Sequence, residues 1–255
     1  MVTDAGLIGC GYQCGFAPAM AALKHFVEVA ILSDLIGRDA RRHRQWWQEL
    51  YLLRHHTGLN GPAIQGLSVP SSPPGIYWPR RPMRSLWSLL GGEQGRRVPC
   101  YDTNCGWLGY TLEELLDNVS RSIDQGFRGV KVKIGVDFEE DLRRLSAVRA
   151  RLGDDAIVTT DANNRWDLQT ALRRAPSLVE FDIAWLEEPL YPFDVRGHAE
   201  LAAAIKTPLL HGEKTLRATD DSRHAGGRCV GSRTAFRYEA GWHFSLDGCG
   251  RDCTH

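Results

Sequence analysis

The stretch GVKVKIG, residues 129–135, decides the fold. Branched apolar residues alternate in it with Lys131 and Lys133, which is the period of a β-strand with two different faces. One face is apolar, and the other carries two ammonium groups about 7 Å apart, the rise of two strand residues. A strand that is otherwise typical of a buried sheet must therefore have something opposite its two like charges.

Length, composition and charge indicate an ordinary globular protein. The 255 residues are enough for one α/β barrel or two smaller domains, and 43% of them are hydrophobic and 24% charged. Lysine plus arginine equals aspartate plus glutamate, 31 each, so the charge favours neither a nucleic acid nor a membrane as partner. No apolar run reaches the length of a membrane span, and no basic residue precedes Lys24 to suggest a secretory signal.

The cysteines favour a cytoplasmic location. Their number is seven, which is odd, and they are scattered along the chain, as expected for reduced thiols rather than a disulfide scaffold. Cys249, Cys253 and His255 resemble metal ligands but lack a fourth partner, so we do not predict a zinc site there.

Strand and helix patterns alternate through the middle of the chain. The predicted strands are 97–104, 129–135, 156–163, 183–189 and 207–214, and amphipathic helices lie between them. The first of these helices begins with a capping box at Thr111 and Glu114. Repeated βα units predict a parallel sheet. In a closed barrel its inner face opens at the C-terminal mouth, so the two lysines are expected to face a central cavity.

Three acidic residues end the next three predicted strands. The steps along the chain are 28 residues from Lys133 to Asp161, 26 to Glu187 and 26 to Glu213, so we expect the carboxylates at one height on adjacent strand ends. Three such carboxylates raise each other's pKa values, and Mg²⁺, which prefers oxygen ligands, removes that repulsion. A nearby cation and partial burial lower a lysine's pKa, so one lysine is suited to act as a base.

Simpler interpretations exist for each piece. One acid at a strand end is usually a helix cap or a solvated charge, and KVK alone is typical of an exposed edge strand. The agreement in phase over four consecutive strands favours a site made of a metal and a base.

These motifs resemble the enolase superfamily, specifically its mandelate racemase and muconate lactonizing enzyme group. The matching motifs are the lysine pair 131–133, DAN at 161–163, EEP at 187–189 and GE at 212–213. The resemblance covers most of residues 1–216 and implies an N-terminal α+β capping domain on a (β/α)₇β barrel. CYDTNCGWLG and EEPLYPFD look most like the acid-sugar dehydratases of that group.

The resemblance also implies roles for individual residues. The expected metal ligands are Asp161, Glu187 and Glu213. Lys133 matches the base, and Lys131 matches the partner that keeps it deprotonated and touches the substrate carboxylate. Asn163 matches a polar residue beside the metal, and Glu188 matches a residue that supports the ligands rather than binding Mg²⁺ itself.

The expected division is a capping domain at 1–95, the first half of a barrel at 96–216 and an aberrant tail at 217–255. VTDAGLIGCGYQCG (2–15) resembles the capping hairpin, and IGRDARRHRQWWQELY (36–51) resembles a capping helix. The glycines of 9–15 depart from the dinucleotide-binding spacing, so we interpret them as a turn.

Two stretches depart from the family pattern. Residues 68–84 hold five prolines where the family has a long helix. The tail has neither strand nor helix periodicity, and position 236, where a family aspartate is expected, is Phe236. We interpret both stretches as frameshifted, which would leave the barrel truncated, without its last three strands and the opposing histidine base.

Two functions therefore stay open, beside a third interpretation in which the chain is a domain that borrows the missing strands from another chain. The first is an enzyme that uses Mg²⁺ to remove the proton α to a carboxylate, leading to dehydration or racemisation of a hydroxy acid, in particular a sugar acid. The alternative is an inactive truncated relative that at most binds a divalent metal. The expected partners are a small-molecule carboxylate substrate and, by resemblance, further copies of the chain in a homo-oligomer, with no nucleic acid and no membrane.

Overall fold

A computed structural model of the chain describes residues 2–4, 6, 17–39, 42–53, 62–71 and 100–211. These residues fall into two compact units, with the boundary between Arg96 and Arg97. Throughout the described ranges, no helix combines the length and the apolar character needed to cross a membrane. Each unit has a core of its own, so each is described separately.

The N-terminal unit is mainly helical within residues 17–71 as far as they are described. Its elements are α1 (Ala17–Phe26), a π-helical segment (Val27–Leu32), α2 (Ser33–Leu35), α3 (His43–Leu53) and α4 (Pro62–Ser71). In α3, Trp46 and Leu50 lie one turn apart and are both buried with Leu67 of α4. Helix α3 overlaps the stretch 36–51, which resembles a capping helix, from His43 onward and extends two residues beyond it. The predicted hairpin 2–15 is outside the described residues, apart from 2–4 and 6.

The proline-rich stretch 68–84 begins inside a helix. Helix α4 continues through residues 68–71 and includes Pro70, so the first four residues of the stretch are helical. Proline lacks the N–H that would bond one turn back, and α4 ends one residue later. Residues 72–84 lie outside the described part of the chain.

The described part of the second unit consists of four βα repeats followed by a fifth strand. Its elements are β1 (Tyr101–Gly106), α5 (Leu112–Asp124), β2 (Gly129–Lys133), α6 (Phe138–Leu152), β3 (Ile157–Asp161), α7 (Leu168–Arg174), a 3₁₀ segment (Ala175–Phe181), β4 (Ile183–Glu187), α8 (Val195–Ala204) and β5 (Leu209–Leu210). All neighbouring strands are parallel, and their order in the sheet follows the chain. This is the order found in a (β/α) barrel, and it confirms the predicted α/β class.

The apolar alternation of β2 points toward the helices. Val130, Val132 and Ile134 are fully buried in a core shared with Leu115 and Val119 of α5. Helix α5 begins with the predicted capping box, since the Thr111 hydroxyl accepts from the backbone N–H of Glu114 while that glutamate accepts from the backbone of Thr111. The opposite face of β2, which carries Lys131 and Lys133, is thereby turned away from the helices.

Gly106 permits β1 to approach β2 closely. A Cβ atom at Gly106 would overlap the carbonyl oxygen of Lys131, so no larger residue fits without moving the strands. The register between β1 and β2 shifts between Asp102 and Gly106. The close approach therefore lies beside the strand that carries the lysines.

The capping box gives a test of this local assignment. Thr111→Ala removes the hydroxyl acceptor of the α5 N-terminus and should lower the free energy of unfolding by about 1 kcal/mol, measured by urea denaturation and circular dichroism. Ser146→Ala removes an exposed hydroxyl in the middle of α6, away from any helix cap, and serves as the control. Equal stability of both variants would contradict the assignment.

Candidate active site

The register brings the lysine strand level with two of the three predicted acids. Lys133 pairs with Asp161 on the neighbouring strand, and Asp161 pairs with Glu187 on the next. The three side chains therefore leave the sheet at the same height on the same face. This end is the C-terminal edge of the parallel strands, where barrels place their reactive groups.

The two lysines face two carboxylates. Lys131 Nζ lies 3.0 Å from Glu187 Oε1 and 3.3 Å from Asp161 Oδ2. Lys133 Nζ donates to Asp161 Oδ2 at 2.5 Å and to Asn163 Oδ1 at 2.9 Å. The lysines are 4% and 8% exposed and the carboxylates 1% each. Two positive and two negative charges thus balance in a buried cluster, which answers how like charges are tolerated on this strand.

The electrostatics of the cluster favour additional positive charge near Glu187. Burial raises the pKa of Glu187 against the opposing ammonium of Lys131, and the negative charge of Asp161 raises it further. For Lys131 burial acts to lower the pKa, but Glu187 and Asp161 outweigh it, so the pKa is raised. The neighbouring carboxylates thus favour the charged form of Lys131, whereas the positive charge near Glu187 does not fully offset the burial of its carboxyl group.

An aromatic pair lies next to the charged cluster. The Trp185 indole N–H donates to Glu187 Oε2 at 3.4 Å, and Tyr101 packs edge-on against Trp185 with 5.3 Å between ring centroids. Burial raises the pKa of Tyr101 to about 12, so its hydroxyl stays neutral. Neither Tyr101 nor Trp185 was predicted from the sequence as part of the site. The two-residue step from Trp185 to Glu187, which places these two side chains on one face of β4, could have indicated Trp185.

Backbone hydrogen bonds connect the loop after β3 to the loop after β4, and the loop after β4 to β5. Asn164 N donates to the carbonyl of Glu188 at 2.6 Å, and Glu188 N donates to Leu210 O at 2.8 Å. Asn163, Asn164 and Glu188 all have left-handed backbones, with φ of 44°, 60° and 41°. Asparagine tolerates this conformation better than glutamate does. Buried Glu188 thus lies at a strained position beside the cluster.

The third predicted metal ligand is not described. Glu213 lies outside the described residues, and within them no three histidine, cysteine, aspartate or glutamate side chains are grouped as a metal would require. The described part of β5 pairs Leu210 with Glu187 and therefore does not test the predicted height of Glu213. Its role stays a prediction.

The chemistry of the described donors fits Mg²⁺. Asp161 and Glu187 offer carboxylate oxygens, the ligands that hard divalent cations prefer. The ammonium of Lys131 already contacts one oxygen of each, which shows that the space between them stabilises a positive charge. Asn163 adds a neutral side-chain amide, and its backbone N–H donates to Asp161 Oδ1 at 2.8 Å.

The parallel sheet, its strand order and the facing lysines and carboxylates define a barrel-type α/β protein. Comparison with known proteins places this class more closely. A family described as Enolase C-terminal domain-like matches residues 114–225. L-talarate/galactarate dehydratase of Salmonella typhimurium is 38% identical over 193 residues, which are 74% of this chain and 47% of that protein. 3,6-anhydro-alpha-L-galactonate cycloisomerase of Streptomyces coelicolor is 32% identical over 82% of this chain and 57% of its own.

Solved structures give the same result. A racemase from Streptomyces coelicolor with bound magnesium has a TM-score of 0.78 and 30% identity, over 88% of this chain and 66% of that one. L-talarate dehydratase from Polaromonas sp., complexed with Mg and L-glucarate, has a TM-score of 0.75 and 32% identity, over 88% and 62%. The chain belongs to the enolase superfamily, in its mandelate racemase and muconate lactonizing enzyme group. It spans about half the length of the curated relatives it matches.

The balance of charges predicts the effect of removing one lysine. Lys131→Met leaves Glu187 buried with only the neutral Trp185 donor among the contacts described above, so the free energy of unfolding without added metal should fall by about 3–5 kcal/mol. Urea denaturation measures this.

Arg143→Met is the matched control for a lost ion pair, because the Arg143–Glu140 pair is exposed on α6; its unfolding midpoint should stay at the wild-type value. A Lys131→Met midpoint equal to that of Arg143→Met would show that the buried cluster contributes nothing.

Proposed function

We propose that this chain carries the Mg²⁺-dependent site of an enzyme that removes the proton α to a carboxylate of a hydroxy acid. The observation that carries the proposal is the register of Lys133, Asp161 and Glu187 on three adjacent strands, which sets an amine against two buried carboxylates. The product step is dehydration or racemisation. Dehydratases, cycloisomerases and racemases are the activities named for the relatives.

Asp161 and Glu187 are the residues that would hold Mg²⁺, together with Glu213. Bound Mg²⁺ supplies positive charge that stabilises the negative charge developing on the substrate carboxylate as the α proton leaves. Trp185 fixes one oxygen of Glu187 by its neutral N–H and leaves the other for a cation. Glu188 acts as support for the loop beside the ligands rather than as a ligand.

Lys133 is the residue that we assign as the base. Its amine lies at the level of the carboxylates, and Asn163 and Asp161 fix its direction by hydrogen bonds. We assign Lys131 to the substrate carboxylate, because its protonated amine offers an anion a positive charge inside a buried site. Asn163 orients Lys133 and lies where it can also contact the substrate.

A sugar acid is the substrate class that we propose. The dehydratase from Polaromonas sp. was solved with L-glucarate, and that similarity supports an acid whose carbon next to the carboxylate carries a hydroxyl. We propose further that residues 1–95 form the capping domain and 96–216 the first part of the barrel. In such an enzyme the activity belongs to the whole barrel, of which the described strands are the first five.

Isotope exchange tests the proposal. The chain is incubated in D₂O with Mg²⁺ and a panel of glucarate, galactarate and talarate. NMR and mass spectrometry follow deuterium at the α carbon of the recovered or epimerised acid and, for dehydration, at the neighbouring carbon of the keto-acid product, which takes up a solvent deuteron when the enol becomes the ketone. Exchange should require Mg²⁺, and Lys133→Met should reduce its rate by roughly 10²-fold or more, because the variant lacks the proton acceptor.

Lys206→Met is the control for loss of a lysine, because Lys206 is exposed and follows α8, away from the strand ends; its exchange rate should equal that of the wild type. Exchange that persists in Lys133→Met, or with chelator, would contradict the proposal. Mg²⁺ binding by calorimetry with no exchange would instead support the metal-binding relative without turnover.

A further inference from the structure

Arg144 is a buried cation whose contacts are all on the site side of α6. It is 3% exposed. Its Nη2 donates to the carbonyl of Trp107 at 2.8 Å and its Nη1 to the carbonyl of Lys133 at 3.3 Å. Within the described residues its Nε has no hydrogen-bond partner. Two backbone carbonyls, one after β1 and one at the end of β2, are thus what the guanidinium holds.

Burial of the Arg144 guanidinium carries a desolvation penalty. Burial lowers the pKa of Arg144 against the favourable charges of Asp141 and Glu140, so desolvation is not fully compensated. A buried charge is therefore weak evidence for a purely stabilising role. The guanidinium is therefore better explained by the two loops that it joins than by stability alone.

One of those loops places an aromatic ring against the proposed base. Lys133 Nζ lies over the Trp107 ring, 5.3 Å from its centroid, within the range of a cation–π contact. Trp107 is 48% exposed, so packing contacts restrain only part of it. Its main-chain carbonyl, by contrast, is fixed by Arg144.

The same helix also holds the loop after β2. Asp141, one turn before Arg144, accepts from the backbone N–H of Gly135 at 2.7 Å and is buried. Residues three apart lie on one face of a helix. That face of α6 therefore binds the segments that follow both β1 and β2.

We propose that Arg144 is a positioning residue that holds the Trp107 ring against the Lys133 amine and so sets the direction of that amine. With Asp161 and Asn163 as hydrogen-bond acceptors, Lys133 is then restrained on three sides. The placement of Trp107 is independent of the reaction. The consequence for catalysis rests on the proposed function.

Arg149 on the same helix provides a matched control. It also donates to backbone carbonyls, those of Phe181, Gly153, Ala156 and Asp182. These carbonyls lie before β3 and β4, at the opposite end of the strands from the site. Arg149→Met therefore removes a comparable arginine without releasing the loops after β1 and β2.

The test combines hydroxyl-radical footprinting with the exchange assay, on the full chain. Footprinting read by peptide mass spectrometry measures the oxidation rate of each tryptophan separately. Arg144→Met should raise the rate at Trp107 by about twofold, since half of the residue is already exposed, and should leave Trp166 unchanged. Arg149→Met should leave Trp107 at the wild-type rate.

In the exchange assay, Arg144→Met should lower kcat by about tenfold or more with KM within about threefold, because a displaced base is a misplaced reacting group. Arg144→Lys, which keeps the charge and can reach one carbonyl, should recover part of both effects. If circular dichroism shows that Arg144→Met is unfolded, the test uses Arg144→Lys, which should also raise the Trp107 oxidation rate and lower kcat, by smaller factors.

A wild-type Trp107 rate in the Arg144 variant, or an equal rise in Arg149→Met, would overturn the positioning role. If Arg144→Met shows the expected rise at Trp107 but keeps the wild-type kcat, the catalytic consequence is overturned. Absence of exchange in the wild type would overturn the proposed function, and the Trp107 rates would still decide whether Arg144 positions the ring.

Discussion

The buried charge cluster of β2, β3 and β4 is the interaction on which the site depends. Two ammonium groups inside a parallel sheet would be too costly without partners, since each carries a desolvation penalty of several kcal/mol. Asp161 and Glu187 supply the partners at 2.5–3.3 Å. The cluster therefore requires both the register of three strands and the outward packing of the apolar face of β2.

The surroundings of the cluster are organised to fix directions. Backbone hydrogen bonds join the loops after β3 and β4, and left-handed residues turn the chain there. On the other side, Arg144 ties the ends of β1 and β2 together. The charged side chains are thus held from both flanks, as preorganised reactive groups need to be. Burial keeps solvent from screening their interactions.

Much of this arrangement could be predicted from sequence because it follows from period and spacing. The alternation in 129–135 predicts which side of β2 is charged, and steps of 28 and 26 residues place Asp161 and Glu187 on the following strands. The Thr111 capping box is a local pattern and is confirmed. These features depend on neighbours in sequence or on one repeated unit.

Other features depend on contacts that the sequence does not reveal. Nothing local indicates that Arg144 donates to Trp107, thirty-seven residues earlier. Helix α4 passes through Pro70 because the loss of one hydrogen bond near a helix end is tolerated. The level of Leu210 with Glu187 follows from register rather than from chain distance. Of the three predicted acids, the described residues include Asp161 and Glu187, and Glu213 stays a prediction.

Calorimetric titration with Mg²⁺ tests the central claim most directly, using wild type, Asp161→Asn, Glu187→Gln and the surface control Glu140→Gln. The wild type and Glu140→Gln should bind Mg²⁺, and the affinity of both site variants should be at least tenfold weaker, since each loses a charged oxygen ligand. Equal affinity in all four proteins, or no binding by the wild type, would show that these carboxylates serve only to neutralise the lysines.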